Sequence, residues 1–467
     1  MMLTRVRRGA AFFVGGGSSA KRLAIGSAFW VLLSIGGSQV LRFGTNLLST
    51  RLLFPELFGL MALVTTIHLG IALFSDVGIG VSIVRHKRGE ERQFLNTAWT
   101  TQILRGLLIF CVALMAAPLA ADFYDEPRLR WLVPLFGFNA IIYGFSSTSV
   151  HLMRRRVQAR RTALLELSSQ GVGLAVLLIW AWLSPGILAL AAGPFATSCA
   201  MLIGSHLMNR PHRDGIGWDR EAASELLGFG KWVFVSTAFT FLAGQADRLL
   251  LGKLYSLTFL GVYNIAFGLA EIPRSLILTM ASRVIFPMLA RAADMPRGEL
   301  LAKVARPRFN ILLALAVGLG VAVACGDVLI IFLYDDRYVE AAWMMPVLAA
   351  SVWISVLSRT VDSMLLVAGK PKVQAFAFAG SFVFLLGGVL LGDHLLGELG
   401  AIIAIALSPL AHYAIIAAGL RSEKFWLWRQ DLVATFVFLA VAVTIFWLRT
   451  LAGPYPYILA EIGLVNA

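Results

Sequence analysis

Apolar residues gather in thirteen blocks separated by short charged or Pro/Gly-containing segments. The blocks lie at about 23–48, 58–83, 95–117, 131–150, 163–183, 187–208, 229–251, 259–285, 309–333, 346–368, 373–391, 399–420 and 432–448. A membrane-spanning helix needs about 20 mostly apolar residues, whereas a transmembrane β-strand needs only about 9–11 in alternation. The blocks have the first length and lack the second pattern. They predict a bundle of spanning helices and exclude a β-barrel. A final apolar stretch, Tyr455–Val465, is too short to count as a span.

Composition agrees with this pattern. Hydrophobic residues make up 58% and charged residues 14% of the 467 positions, against about 45–50% and about 25% in soluble domains. Mean hydropathy is +0.79, far from any soluble fold of this length. The first charged stretch (Arg5, Arg7, Arg8, Lys21, Arg22) runs into a block too long for the core of a cleavable signal. Cys111, Cys199 and Cys325 all fall within blocks, at no disulfide or metal spacing, and read as small apolar packing residues.

The formal net charge of +14 changes the picture once its distribution is followed. The N-terminus and the loops at 85–94, 151–162, 209–231, 287–308, 369–373 and 421–430 together carry 28 Lys and Arg, and the intervening loops six. The alternation keeps step through all thirteen blocks. Positive loops stay in the cytoplasm, which puts the N-terminus there. The basicity is then a topology signal, suited to anionic lipid headgroups, and it calls for no nucleic acid.

The chain also repeats itself at an offset near 202. Trp30-Val31 matches Trp232-Val233, Leu47-Leu48 matches Leu249-Leu250, and Gly59 matches Gly261. With some drift, Tyr124-Asp125-Glu126 resembles Tyr334-Asp335-Asp336 and Val157-Gln158 resembles Val373-Gln374. Each half holds six blocks, an even number, so both halves start on the cytoplasmic side. Parallel repeats of this kind occur in secondary transporters, with the substrate site between them. The expected fold is an all-α polytopic membrane protein: two parallel six-helix lobes (twelve core helices) plus one or two C-terminal helices. The expected segments are a basic cytoplasmic N-terminus (1–22), an N-lobe (23–208), a cytoplasmic linker (209–228), a C-lobe (229–420) and a C-terminal extra helix region (421–467).

Six arginines fit no loop: Arg42, Arg105, Arg248, Arg274, Arg283 and Arg359. Arg248 and Arg283 lie near block ends and can snorkel. Arg42, Arg105 and Arg274 lie deeper, and Arg359 is intermediate. A lipid-facing arginine at mid-span costs about 2.5–3.5 kcal/mol on insertion scales, so these residues should face protein or water. Their neighbours agree. Ser27, Ser34, Ser38, Arg42, Thr45 and Ser49 share one helix face, as do Thr97, Thr101 and Arg105, and Ser351, Ser355, Arg359 and Asp362. The offset carries the first face onto Ser236, Thr240, Gly244 and Asp247. Asn264, Gly268, Glu271 and Arg274 add another polar face, and Thr65, His68 and Asp76 one more. Together these faces can line a polar cavity between the halves.

Guanidinium groups bind phosphate in a bidentate fork and keep their charge at any pH. Arg42, Arg105, Arg274, Arg359 and Arg248 are therefore the candidate ligands for an anionic substrate. Asp76, Asp247, Glu271 and Asp362 either couple an ion or form structural pairs. Glu271 with Arg274 and Arg359 with Asp362 have i,i+3 spacing, and Asp76 reads equally as an ion site or as the partner of Arg42. Small hydroxyl residues also serve simple helix packing, and His68 reads as a hydrogen-bonded core residue. Gly15–Lys21 lacks phosphate-loop spacing, and no His/Cys cluster, nucleophile elbow or nucleotide-binding domain occurs. No metal or other cofactor is expected, and the chain does not read as an enzyme. With no nucleotide-binding domain, ATP is not the direct energy source.

At these residues the chain resembles the polysaccharide transporters, the O-antigen and exopolysaccharide flippases of the multidrug/oligosaccharidyl-lipid/polysaccharide superfamily. The first half carries Leu52-Leu53-Phe54-Pro55-Glu56-Leu57-Phe58-Gly59 and Asp76-Val77-Gly78-Ile79. The second carries Ala246-Asp247-Arg248-Leu249-Leu250-Leu251-Gly252, Leu260-Gly261-Val262-Tyr263, Ile272-Pro273, Val284-Ile285-Phe286-Pro287 and Gly369-Lys370-Pro371. The likeness covers most of 20–420. It implies twelve core helices in two lobes, alternating access, and an undecaprenyl-diphosphate-linked glycan as substrate. It implies a bacterial inner-membrane location, with membrane lipids, a polysaccharide polymerase and glycosyltransferases as neighbours. Members commonly have twelve or fourteen helices, and thirteen blocks depart from that. A lipid II flippase of the same superfamily is the second reading and a multidrug or organic-ion antiporter the third, Arg42 arguing against cationic drugs. A membrane glycosyltransferase would need a larger outward loop than those near 118–130 and 334–345.

Overall fold

In lipid a backbone must satisfy its own polar groups, so long apolar runs become helices. The computed structural model describes residues 18–75, 78–156, 158–208, 214–228, 230–275, 297–367, 370–423 and 427–452, and among them there is no β-strand. Eight of the described helices are long and apolar enough to cross a membrane. Their outer faces carry side chains such as Phe332, Trp182 and Phe436, exposed at 82%, 75% and 73%. Apolar surface of this extent matches lipid and not water. The chain is a multi-pass membrane protein.

The described residues fall in two compact units, Met1–Leu53 with Ile67–Phe234, and Phe54–Thr66 with Val235–Ala467. The first contains α1 (Ser18–Leu52), the end of α2 (Pro55–Phe74), α3 (Ile79–Arg85), α4 (Arg92–Tyr124), α5 (Leu129–Gly144), α6 (Ser149–Arg155), α7 (Ala159–Leu183), α8 (Ile187–Met208) and α9 (Arg220–Gly228). The second contains the start of α2, most of α10 (Gly230–Leu254), α11 (Leu257–Ala270), α12 (Arg297–Leu333), α13 (Ala341–Arg359), α14 (Asp362–Val367), α15 (Pro371–Ser422) and α16 (Trp428–Ala452).

Several expected blocks take a finer form. Block 58–83 divides into α2 and α3, and block 131–150 into α5 and α6. A helix break strands carbonyls that must find donors, and α4 supplies them. Gln102 Nε2 donates to the carbonyls of Gly144 and Ser146 at 3.0 Å each. One turn on, Arg105 Nη2 donates to the Ala72 carbonyl at 2.8 Å and Nε to the Ser75 hydroxyl at 3.3 Å. Blocks 373–391 and 399–420 are joined in α15, with the break at Gly397 (φ 60°, ψ −139°), a backbone conformation that favours glycine. Block 259–285 lies outside the described residues from 276 onward, and Arg283 with it.

The linker is docked onto the first unit. Asp214 accepts from the Ser147 and Thr148 hydroxyls, each at 2.5 Å, and from the Thr148 amide at 3.2 Å, at the start of α6. The amides of Gly215, Gly217 and Asp219 donate to Asn96 Oδ1, Thr100 Oγ1 and Thr97 Oγ1, at 3.1, 3.1 and 2.9 Å. Arg88 then bridges Asp219 at 2.7 Å and Glu221 at 3.1 Å, while Ala222 is buried beside Ile79, Ile83, Phe94 and Leu152.

In the second unit α16 is pinned to α12 at both ends. Arg308 Nη2 meets Asp431 at 2.5 Å, with both side chains buried. Arg449 grips Asp327 with two hydrogen bonds of 2.8 and 2.9 Å. Between them Trp353 of α13 stacks on Phe438, with centroids 5.0 Å apart. The start of α2 crosses α11 in the same unit. A Cβ added at Gly59 would lie 1.8 Å from the Leu257 carbonyl oxygen, and one at Gly261 would lie 1.9 Å from that of Pro55. The contact is reciprocal between residues that the 202 offset pairs.

The cysteines differ from expectation. Cys111 and Cys199 are exposed and Cys325 is half-buried. In a membrane protein an apolar residue gains nothing by hiding from lipid, so apolarity does not imply burial in the bundle.

Candidate functional site

The candidate residues divide between the units. In the first, Arg42 on α1 is exposed and lines a cavity of about 470 Å³ walled by α1, α5, α7 and α8. No acidic side chain among the described residues pairs with its guanidinium. Ser34, two turns earlier on the same face, donates to Glu166 Oε2 at 3.0 Å, and Arg154 holds the other carboxylate oxygen at 2.8 Å. Arg105 is committed to the end of α2, as described. Its face of α4 serves structure as well: Thr97 and Thr101 donate to carbonyls one turn back, and Thr97 Oγ1 also receives the Asp219 amide. His68 packs edge-on to Phe136, with centroids 6.3 Å apart. Asp76 lies outside the described residues.

In the second unit six of the candidates assemble. Tyr263 of α11 donates to Asp247 Oδ2 at 2.5 Å; Asp247 is buried, and its other oxygen has no partner. The next residue, Arg248, donates to Asn264 Oδ1 at 3.1 Å and Gln245 Oε1 at 2.6 Å, and lies over the Phe267 ring at 4.7 Å. Its polar end stays inside the unit, so snorkelling does not describe it. Glu271 and Arg274 form an ion pair of 2.9 Å, and Glu271 lies within Coulombic reach of Asp247, Arg248 and Arg359. Arg359 pairs with Asp362 at 3.4 Å and covers the Phe378 ring at 4.9 Å. Both i,i+3 pairs expected from spacing are therefore formed.

Three groups escaped the sequence reading. His412 on α15 is buried, with Nε2 3.5 Å from Asp362 Oδ2. Nothing in its own block marks it, because its partner is fifty residues away. Arg308, counted with the loop cations, is buried in α12 and donates to Thr360 Oγ1, the Leu357 carbonyl and Asp431. Arg449, also counted with a loop, is likewise an ion-pair partner within the fold.

Chemically, the first unit offers Arg42, with no acidic partner among the described residues, beside an open cavity. The second offers a charge-balanced network in which arginines alternate with carboxylates. Among the described residues no group of three or more His, Cys, Asp or Glu is arranged to hold a metal ion.

Comparison with known proteins follows the same line. The teichuronic acid biosynthesis protein TuaB of Bacillus subtilis (strain 168) is 24% identical over 325 residues, covering 67% of this chain and 64% of the relative. The succinoglycan biosynthesis transport protein ExoT of Rhizobium meliloti (strain 1021) is 24% identical, covering 55% and 52%. The lipopolysaccharide biosynthesis protein WzxC of Escherichia coli (strain K12) is 21% identical, covering 52% and 50%. The matches thus span about half to just under two thirds of the length of these curated relatives. Among solved structures, lipid II flippase MurJ in an inward closed conformation superposes with TM-score 0.69 at 12% identity, over 94% of this chain and 95% of that one. An inward-facing multidrug resistance MATE family transporter of the MOP superfamily superposes with TM-score 0.66 at 15% identity, over 83% and 95%. At these identities the likeness establishes a shared fold. The sequence profile of the polysaccharide biosynthesis proteins matches residues 48–367, and the chain belongs to that family.

Proposed function

We propose that this protein is a flippase. It carries an undecaprenyl-diphosphate-linked oligosaccharide across the bacterial inner membrane, by alternating access, for O-antigen, capsule or exopolysaccharide synthesis. The observation that carries this reading is Arg42: a guanidinium in a membrane helix, beside an open cavity, with no acidic partner among the described residues. Such a charge is costly in a membrane helix unless it faces protein, water or an anion, and of these a diphosphate matches the guanidinium fork. Membership of the polysaccharide biosynthesis family supplies the glycan side of the reading. Arg105, Arg248, Arg274 and Arg359 are the further candidate ligands for the anionic substrate. Asp247, Glu271 and Asp362 are the described carboxylates available to couple an H+ or Na+ gradient. The protein catalyses no bond change in this scheme; glycosyltransferases load its substrate and a polymerase receives it.

The test is complementation of a strain that lacks its own polysaccharide flippase. The wild type should restore surface polysaccharide, Arg42→Ala should fail while still inserting in the membrane, and Arg42→Lys should restore part. Normal export by the Arg42, Arg105 and Arg274 alanine variants alike would remove the phosphate-binding role. Rescue only of a strain depleted of its lipid II flippase would reassign the substrate. The proposed orientation has the N-terminus and linker cytoplasmic. A cysteine at Asp122 should then be labelled from outside, and one at Arg161 should not.

A further inference from the structure

The cavity beside Arg42 holds polar groups with incomplete hydrogen bonding. Asn139 on α5 and Gln170 on α7 line it, and the buried Oδ1 of one and Oε1 of the other have no hydrogen-bond partner. Pro194 of α8 has no N–H, so the helix bond that would end on the Leu190 carbonyl is missing, and both residues line the same space. The hydroxyl protons of Thr45 and Thr197 are committed to their own helices, on the Leu41 carbonyl at 2.7 Å and the Gly193 carbonyl at 3.0 Å. These hydroxyls therefore present lone pairs to the cavity as well.

Among leucine side chains the wall thus offers a few acceptors, the amide N–H groups of Asn139 and Gln170, and one cation. Buried acceptors left without donors are unfavourable, so the complementary ligand brings several O–H donors together with one anionic group. Water supplies the donors and not the anion. A lipid tail supplies neither. A volume of about 470 Å³ lies within the range of small-molecule sites, roughly 300–1,000 Å³.

We propose that this cavity is a glycosyl subsite. It takes one sugar residue by its hydroxyls, on Asn139, Gln170 and the Leu190 carbonyl, with Arg42 on the anionic group next to that sugar. The anion is either the phosphate of the lipid linkage or the carboxylate of an acidic sugar. The inference rests on the function proposed above and assigns that substrate a recognition pocket within one unit.

The test uses the full chain in lipid nanodiscs with four probes: glucose 1-phosphate, glucuronate, glucose and inorganic phosphate. At least one of the two sugar–anion probes should bind saturably. Glucose and inorganic phosphate should each bind about tenfold or more weaker than the better of them. Which sugar–anion probe is preferred identifies the source of the charge. Gln170→Leu and Asn139→Leu should each weaken the sugar–anion probe about tenfold and leave inorganic phosphate unchanged. The ligand-free variants should resist heat at least as well as the wild type, because each loses an unpartnered buried acceptor. A purely structural amide would behave in the opposite way, losing stability and keeping the probe, and that result overturns the proposal. So does the absence of saturable binding of either sugar–anion probe, or inorganic phosphate binding as tightly as the better of them. Failure of the wild type to restore export removes the flippase reading itself. Restored export with equal sugar–anion binding by the wild type and Gln170→Leu removes the subsite alone.

Discussion

Replacing Gly261 by alanine gives a sharp test of how the second unit is packed. The new Cβ would sit 1.9 Å from the Pro55 carbonyl oxygen, where 3.4 Å is the start of ordinary contact. The obstructing atom is backbone, so no rotamer change relieves it. The start of α2 and α11 must part by about 1.5 Å, a distance over which packed atoms lose much of their attraction. Overpacking of this kind costs about 1–3 kcal/mol. Gly59→Ala should cost a similar amount, since its Cβ would meet the Leu257 carbonyl oxygen at 1.8 Å. The two penalties belong to one contact and should not add: once the first alanine has parted the backbones, the second finds room. Gly268, on the same helix, has nothing within 4 Å of its would-be Cβ. Its replacement by alanine should instead stabilise by about 0.5–1 kcal/mol, the helix preference of alanine over glycine. Thermal unfolding of the three single variants and the 59/261 double variant, in one lipid or detergent system, reads all of this. Gly261→Ala unfolding at the wild-type temperature, or a double variant losing the full sum of the singles, would refute the reasoning.

Two further outcomes are expected. Arg449→Ala should destabilise by about 3–5 kcal/mol because it strands a buried carboxylate, Asp327 being 2% exposed; Asp327→Asn with Arg449→Gln should recover much of the loss, and thermal unfolding tells the two apart. The docked linker should respond to acid in one direction. Its hydrogen bond from the Arg88 guanidinium holds the Asp219 carboxyl below its ordinary value of 3.8, so its contribution is complete above that value and fades only as pH falls through the lowered one. Hydrogen exchange at the Gly215 and Gly217 amides, corrected for intrinsic rate, should stay constant from pH 8 to 5 and quicken in Asp219→Asn. Equal protection in that variant would show that the Arg88–Asp219 pair does not hold the linker.

The helices were readable because hydropathy in a membrane chain is a direct solvent signal. Long runs such as 95–117 and 163–183 admit only one structure in lipid. The candidate arginines were readable because charge inside such a run is conspicuous. Their roles divided according to contacts that spacing does not carry. Arg105 satisfies a helix end thirty residues away; Arg42 meets no described acid. Local pairs (Glu271 with Arg274, Arg359 with Asp362) follow from helical geometry and were visible. His412, Gln102 and Arg308 were not, because each earns its place from a partner on another helix. Arg308 and Arg449 were counted with loops because hydropathy marks where apolarity ends, whereas α12 runs for 37 residues, about 55 Å, well past the apolar core. A charge near a block edge can therefore be buried among the helix ends.

The two ion pairs at the ends of α16 bear on how such chains diverge. The family profile stops at residue 367, yet Arg308 and Asp327 inside it find their counter-charges at Asp431 and Arg449 beyond it. The unit of common descent recognised by sequence is thus shorter than the unit that must fold together. A lineage that replaces the last helix inherits two buried charges without their counter-charges, unless it changes α12 in step. Where related chains keep arginine at the position of Arg308, an acid should be found at that of Asp431. Where they lose the helix, both α12 charges should be lost with it.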